Sequence, residues 1–266
     1  MSAEDLVRAG DLSGALAALQ NDVRSDPSAA KLRIFLSQLL CVLGDWQRAV
    51  AQLKVSAELD ELAIPMAQTY REAILCEVYR PRVFAGEREP LVFGEPQEWM
   101  ALLLEAVKVL AAGKGAEAAA LRDQAFEAAP AGAGTLNGEP FQWLADADTR
   151  LGPVFEMVIN GRYFWVPMNQ IAKMTLEEPA DLRDCVWMPA QVTLQNGSDI
   201  VALIPTRYSG TAELEDDAAR LARKTEWQDL GDGHFAGLGQ RVLATDTGDV
   251  SLMDVREIVF AAADDV

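Results

Sequence analysis

Gly10-Asp11-Leu12-Ser13-Gly14-Ala15, followed by Leu19, returns as Gly44-Asp45-Trp46-Gln47-Arg48-Ala49, followed by Leu53. The offset is 34 residues, the period of a tetratricopeptide repeat, in which helix pairs stack on one another. Asp26-Pro27 and Asp60-Glu61 line up at the same offset. A weaker third copy begins at Gly113, with Ala118 and Ala129-Pro130 in register. Periodicity within the copies agrees. Trp46, Ala49, Val50, Leu53 and Ala57 fall on one helical stripe, as do Leu32, Leu36, Leu39, Leu40 and Leu43. Trp99, Leu102, Leu103, Ala106 and Leu110 make a further stripe, with Pro96 placed for the first turn of that helix. Each Gly-Asp pair ends one helix and caps the next, and small Ala15 and Ala49 let paired helices approach closely. Such stripes are core, since an isolated helix pair must bury them, and Trp46 and Leu53 are expected inside it. The segment from Pro81 to Pro96, with Gly86, Pro90 and Gly94, interrupts the repeat as a long surface loop or part of a binding edge.

Beyond Pro130-Ala131-Gly132-Ala133-Gly134 the period changes, and this Gly-rich stretch reads as a junction. Val154 to Ile159, Asn160-Gly161 and Arg162 to Val166 form a hairpin signal, because Asn-Gly suits the two positive-φ positions of a type I′ turn. Val186 to Gln195, Asn196-Gly197 and Ile200 to Ile204 suggest a second hairpin of the same kind. Arg241 to Thr245 and Val250 to Met253, turning at Thr247-Gly248, suggest a third, and Val255 to Phe260 a last strand. One helix is expected over about Glu213 to Lys224. The expectation is an α+β protein: a TPR-like α-helical repeat domain over 1–130, a junction over 131–150, and a mainly antiparallel β domain over 151–266.

Composition narrows the function classes. The chain has 266 residues, 50% hydrophobic and 24% charged, the profile of a folded globular protein. No run approaches the roughly 18 consecutive apolar residues of a membrane-spanning helix. The opening MSAEDLVRAGDL lacks the basic-then-apolar pattern of a signal peptide, so the expectation is a cytoplasmic protein without membrane insertion. Net charge is −18, spread as −8 over residues 1–150 and −10 over 151–266, so neither half offers a nucleic acid the basic footprint it needs. A single histidine, His234, and three scattered cysteines argue against a zinc site, a histidine triad or a disulfide framework. Cys41 and Cys76 read as small buried hydrophobes, and His234, among glycines, as a loop residue. Asp181 with Asp184, or Glu177 with Glu178, could pair for acid–base chemistry, yet 41 acidic residues make such pairs inevitable. Gly237-Leu238-Gly239-Gln240-Arg241 lacks the third glycine and the helix of a dinucleotide site. No catalytic residue, metal or cofactor is assigned, and a non-enzymatic, protein-binding role is expected.

Six blocks in order carry a resemblance: Gly161 to Pro167 (GRYFWVP), Leu182 to Ala190 (LRDCVWMPA), Ile204 to Tyr208 (IPTRY), Arg223 to Trp227 (RKTEW), Gly237 to Arg241 (GLGQR) and Val255 to Ile258 (VREI). Over this stretch the chain resembles the ImpE family, also called TagJ or SciE type, encoded with type VI secretion systems. The helical first half fits the family more loosely. The resemblance implies a cytoplasmic adaptor that binds the small subunit of the contractile sheath near its N-terminal helix. It further implies action with the ClpV-type ATPase that recycles sheath, and no catalytic residues. A dedicated chaperone of one secretion subunit, without ATPase contact, is the alternative, with a metal-free enzyme of unknown substrate behind it.

The same blocks concentrate the residue types of protein-binding hot spots. Arg162, Trp165, Arg183, Arg207, Tyr208 and Arg241 are the candidate partner-binding residues. The competing reading places Trp165 and Trp187 in the β core, with the arginines paired to Asp184, Glu226 or Glu257. At −18, the chain is expected to favour a segment bearing Lys or Arg.

Overall fold

Three glycines set the first half of the chain. In the computed structural model, which describes residues 1–95 and 97–261, Gly10, Gly44 and Gly113 all take positive φ (83°, 75° and 77°). Each stands at a reversal between antiparallel helices: α1 (Ala3–Ala9) and α2 (Leu12–Ser25), α3 (Ala30–Val42) and α4 (Trp46–Leu59), α6 (Glu98–Ala111) and α7 (Gly115–Ala128). The following Asp11 and Asp45 cap α2 and α4 by accepting from the backbone N–H of Gly14 and Arg48. At the third reversal the cap is Lys114, which makes no such bond, and this is why the third copy reads weakly. Ala15, Ala49 and Ala118 are fully buried at matching positions.

Between the second and third pairs lies α5 (Ile64–Phe84), which has no returning partner helix. Pro81 sits inside its last turn and ends it, where the sequence suggested the start of a loop. The segment that follows is no free loop, because β1 (Leu91–Val92) joins the sheet. The placement of Pro96 falls outside the described residues.

The remaining strands are β2 (Gly134–Leu136), β3 (Glu139–Phe141), β4 (Leu144–Asp146), β5 (Val154–Ile159), β6 (Arg162–Pro167), β7 (Ile171–Leu176), β8 (Trp187–Leu194), β9 (Asp199–Pro205), β10 (Thr225–Gly231), β11 (His234–Gly239), β12 (Val242–Thr245), β13 (Gly248–Ser251) and β14 (Glu257–Phe260). They form a nine-stranded sheet in the order β1-β6-β5-β9-β8-β7-β14-β2-β3, a three-stranded sheet β13-β12-β4 and a β10-β11 ribbon. All pairings are antiparallel except β1 with β6. The fold is α+β.

The β5–β6 hairpin turns on Asn160 (φ 49°) and Gly161 (φ 69°), as Asn-Gly requires. The β8–β9 hairpin does not repeat that turn. Only Gly197 is at positive φ (80°), and a three-residue loop closes through Gly197 N–H to Leu194 O and Leu194 N–H to Ser198 O, both 2.9 Å. The Asn-Gly turn recurs instead at Asn137-Gly138 between β2 and β3, so the junction is strand where the sequence suggested none. The helix expected over Glu213 to Lys224 shrinks to α8 (Asp217–Arg220), ended by Ala222 in the left-handed region at φ 54°.

At β5 both faces of the large sheet are covered, so this strand is buried at every position and reads as an apolar run broken only by Glu156. Val154 and Val158 face the helices, in one cluster with Leu39, Ile74, Leu103, Trp165 and Trp187. Phe155, Met157 and Ile159 face the other way, toward Met188, Ile204, Leu243 and Ile258. The first cluster unites helices from the first half with strands from the second.

Trp46 is half-buried at the rim of that cluster, 6.2 Å from Trp187 between ring centroids. This corrects the expectation that it lies in the core. Full indole burial would make Trp46→Ala cost about 3–5 kcal/mol; a half-buried ring is expected to cost about 2 kcal/mol. Chemical denaturation of the variant checks this, and a loss above about 4 kcal/mol would contradict the rim position.

Candidate functional site

The sequence singled out six residues for a binding surface, and the structure disperses them. Arg162 is exposed at the start of β6. Arg183 is half-buried, its guanidinium 5.1 Å from the Tyr70 ring centre and 3.7 and 3.8 Å from Asp181 and Asp184. Trp165, Arg207, Tyr208 and Arg241 are all inside, between 0% and 4% exposed. That is a correction: these four present no surface to a partner in this fold, because each serves a buried polar network.

Glu156 is the centre of the network. It stands alone as a charge within the apolar strand β5 and is fully buried. Arg80 of α5 grips it through Nε at 2.9 Å and Nη2 at 2.8 Å, and Arg241 and the Tyr163 hydroxyl also donate to it. Tyr163 in turn accepts from Trp165 Nε1 at 2.8 Å. Arg80 Nη1 reaches both oxygens of Glu77 at 2.9 Å, and Trp187 Nε1 donates to Glu77 at 3.2 Å. On the far side, Arg241 donates to Asp146 and, through Nε at 2.9 Å, to the Pro205 carbonyl. Tyr208 donates to Asp146 at 3.0 Å and accepts the Val242 N–H at 3.0 Å.

Arg207 is a clamp of a different kind. Its guanidinium donates to the carbonyls of Val42 (2.8 Å) and Cys41 (3.3 Å) at the C-terminus of α3, and to Arg220 O at 2.6 Å. It therefore satisfies Val42 O, which the helix end leaves without a backbone partner, and adds a second donor to Cys41 O, which also accepts the Gly44 N–H at 3.1 Å. Arg80 Nη2 closes the circuit on Arg207 O at 3.1 Å.

Electrostatics match a structural role. Burial alone would raise Glu156, but Arg80 and then Arg241 outweigh it and hold its carboxyl well below the usual range. Burial pushes Asp146 up to about 6, with Arg241 opposing. Burial also lowers Arg207 to about 10, since it touches carbonyls and no carboxylate. Three carboxylates, Glu77, Asp146 and Glu156, are set against three guanidiniums, Arg80, Arg207 and Arg241. Charge balance and shared hydrogen bonds are what buried ions require.

The other candidate groups are likewise occupied. Asp184 accepts from the N–H of Ala180 (2.9 Å) and Asp181 (2.8 Å), capping a single 3₁₀ turn. Burial pushes the Cys41 and Cys76 thiols up to about 12, so both stay protonated near neutrality. Among the described residues no group of three or more His, Cys, Asp or Glu side chains is placed to hold a metal ion. Among the described residues no helix is long and apolar enough to cross a membrane.

His234 is 2% exposed at the start of β11, not in a loop. Its Nε2 lies 3.2 Å from Gly115 O and its Nδ1 3.1 Å from Arg122 Nη1, which suits a neutral ring donating to the former and accepting from the latter. Burial and then Arg122 lower its pKa from 6.5. A depressed histidine contributes stability that is intact above about pH 6.5 and declines as pH falls, because the unfolded chain takes the proton first. The stability advantage of the unmodified protein over His234→Asn is expected to shrink between pH 7 and pH 5. A pH-independent difference in urea titrations would refute it.

Two concavities open to solvent. One, of about 430 Å³, lies between α7, the junction and the β4 region, lined by Phe126, Trp143, Met168 and Phe260 among others. The second, of about 340 Å³, runs between α5 and the β1–β6 edge, lined by Leu75, Tyr79, Leu91, Arg162 and Tyr163. Leu75 is 61% exposed, and Val78, one turn on, 50%. Of the six residues picked from sequence, only Arg162 is both exposed and on a groove. Leu75 and Val78 were missed; their only sign is that Ile74-Leu75-Cys76-Glu77-Val78-Tyr79 is too apolar for a helix buried on one side.

A sequence model described as ImpE protein matches residues 138–259, the stretch that contains Asp146, Glu156, Arg207 and Arg241. The type VI secretion system accessory component TagJ of Pseudomonas aeruginosa is 56% identical over 264 residues, covering 99% of this chain and 92% of that protein. The chain belongs to the ImpE family. Its architecture also recurs in the crystal structure of protein VPA1032 from Vibrio parahaemolyticus, with a TM-score of 0.86 over 97% of each chain at 24% identity. That likeness shows the fold alone, with repeat and sheet together in both chains. The stretch matched by the family model excludes α5, so Arg80 and Glu77 reach the ImpE-matched part only through space.

Proposed function

We propose that this ImpE-family chain is a non-enzymatic, cytoplasmic accessory adaptor of a type VI secretion system. It binds the N-terminal helical segment of the small contractile-sheath subunit and acts with the ClpV-type ATPase in sheath recycling. The observation that carries this reading is the 56% identity, over nearly the whole chain, to an accessory component of such a system. The architecture is compatible: stacked helix pairs build surfaces that accept helical peptides, and the buried polar groups are committed to the fold. Titration calorimetry with the purified sheath small subunit tests it. Saturable binding, competed by a peptide of about 15–25 residues from that subunit's N-terminus, is expected, an affinity carried by a few apolar anchors. Absence of binding by the subunit would overturn the reading. Adding the ATPase to the preformed complex tests the recycling step, and a complex unaffected by ATPase and ATP would remove that step alone.

A further inference from the structure

Helices α1, α3 and α6 each pack against a returning partner, α2, α4 and α7, whereas α5 is followed by β1. Its buried side rests on α4 and on β6, through Ala73, Ile74 and Cys76. The side left over carries Ile64, Gln68, Arg71, Leu75, Val78 and Arg82, all exposed, at alternating spacings of four and three residues. That spacing is one stripe of a helix about 27 Å long, the length of stripe against which a second helix packs. Beside the stripe lies the 340 Å³ groove that ends at Leu91 and Arg162.

We propose that this face of α5, with the groove beside it, is the docking site for an amphipathic helix of the partner, which supplies the returning helix that α5 lacks. The incoming helix sets apolar side chains on Leu75, Val78 and Leu91. Its rim carries carboxylates. Arg71 and Arg162 border the site and form no ion pair among the described residues. Of the carboxylates nearest the groove, Glu87 and Glu89 are already held by Arg82 and Lys108, which leaves Glu72. Locally the charge is therefore opposite in sign to the chain's −18, and the Lys- or Arg-bearing segment suggested by net charge does not suit this site. At physiological salt, screening over about 8 Å lets the two bordering arginines outweigh distant acids. A surface whose core is aliphatic and whose rim is Arg-lined has the make-up of a helix-in-groove interface.

The inference rests on the adaptor reading above, and one experiment separates them. Titrate the full chain with the intact sheath small subunit, then repeat with Leu75→Asp/Val78→Asp and with Arg71→Glu/Arg162→Glu. All four side chains are exposed, so circular dichroism and melting should match the unmodified protein. The apolar double variant is expected to raise Kd at least tenfold. The arginine variant is expected to raise Kd at least fivefold and to flatten its salt dependence. Glu139→Lys, at an exposed position on β3 at the opposite edge of the nine-stranded sheet, is the control and should change nothing. Binding by the unmodified protein with Kd unchanged in both double variants overturns the docking site and leaves the adaptor standing. No binding by the unmodified protein overturns both.

Discussion

Glu156→Gln is expected to cost about 3–5 kcal/mol of folding stability, among the largest effects a single polar substitution here can have. The change removes a charge and almost no volume, so packing cannot account for a loss of that size. It leaves Arg80 and Arg241, with side chains 2% and 0% exposed, facing each other across a site with one carboxylate fewer. Neither guanidinium can lose its proton near neutrality, and neither can reach water without unpacking α5 from β5. The amide can still accept from Arg80, yet it also presents N–H donors to a cluster already rich in donors. Two-state urea unfolding measures the loss, and a change below about 1 kcal/mol would mean that the network is solvated in solution. Replacing Glu156, Arg80 and Arg241 together by apolar residues of similar size is expected to cost less than Glu156→Gln alone, since no orphaned charge remains. The corresponding pH effect has a definite sign. Glu156 is held far below its usual range, so its contribution is intact at neutral pH and declines progressively as pH falls below about 4.5, where the unfolded chain takes the proton first.

How legible all this was in the sequence depends on the range of the interaction. Gly10-Asp11 and Gly44-Asp45 act within one turn, each glycine reversing the chain and each aspartate capping the next helix, so the repeat was readable directly. Asn160-Gly161 was readable for the same reason. Asn196-Gly197 was misread as the same turn, because a three-residue loop with one positive-φ glycine uses the same dipeptide. Pro81 was taken for a loop opener, although a proline in the last turn of a helix loses only a bond near its end. Arg80 bonds residues 76 and 127 positions away and Arg207 one 165 positions away, and no local pattern encodes such partners. One trace remained visible: a single Glu inside Val154-Phe155-Glu156-Met157-Val158-Ile159 has to be paired if the strand is buried on both faces. The same logic misassigned Arg207, Tyr208 and Arg241. Arg and Tyr are enriched in hot spots and in buried networks alike, and composition alone does not separate the two.

Arg207→Ala is the second large effect, expected at about 3–5 kcal/mol, and burial changes what substituting Arg207 and Tyr208 tests. As surface residues the pair would have tested binding. As buried residues, 4% and 2% exposed, they test whether the two halves of the chain hold together. Removing the guanidinium strands Val42 O and Arg220 O, bonded at 2.8 and 2.6 Å, takes a second donor from Cys41 O, which keeps the Gly44 N–H, and leaves a cavity where the side chain ran. Each stranded buried carbonyl costs about 1–3 kcal/mol, and partial rescue by entering water keeps the sum at the lower end. Arg207→Lys is not expected to restore the loss, because one ammonium cannot span carbonyls on α3 and α8 as a planar fork does. The damage should appear first at the end of α3 and at residues 206–221, as faster amide exchange there than in β7 or β8. Hydrogen exchange of the variant that is uniform across the chain, or a stability loss under about 1 kcal/mol, would show that Arg207 is not what ties the helical repeat to the sheet.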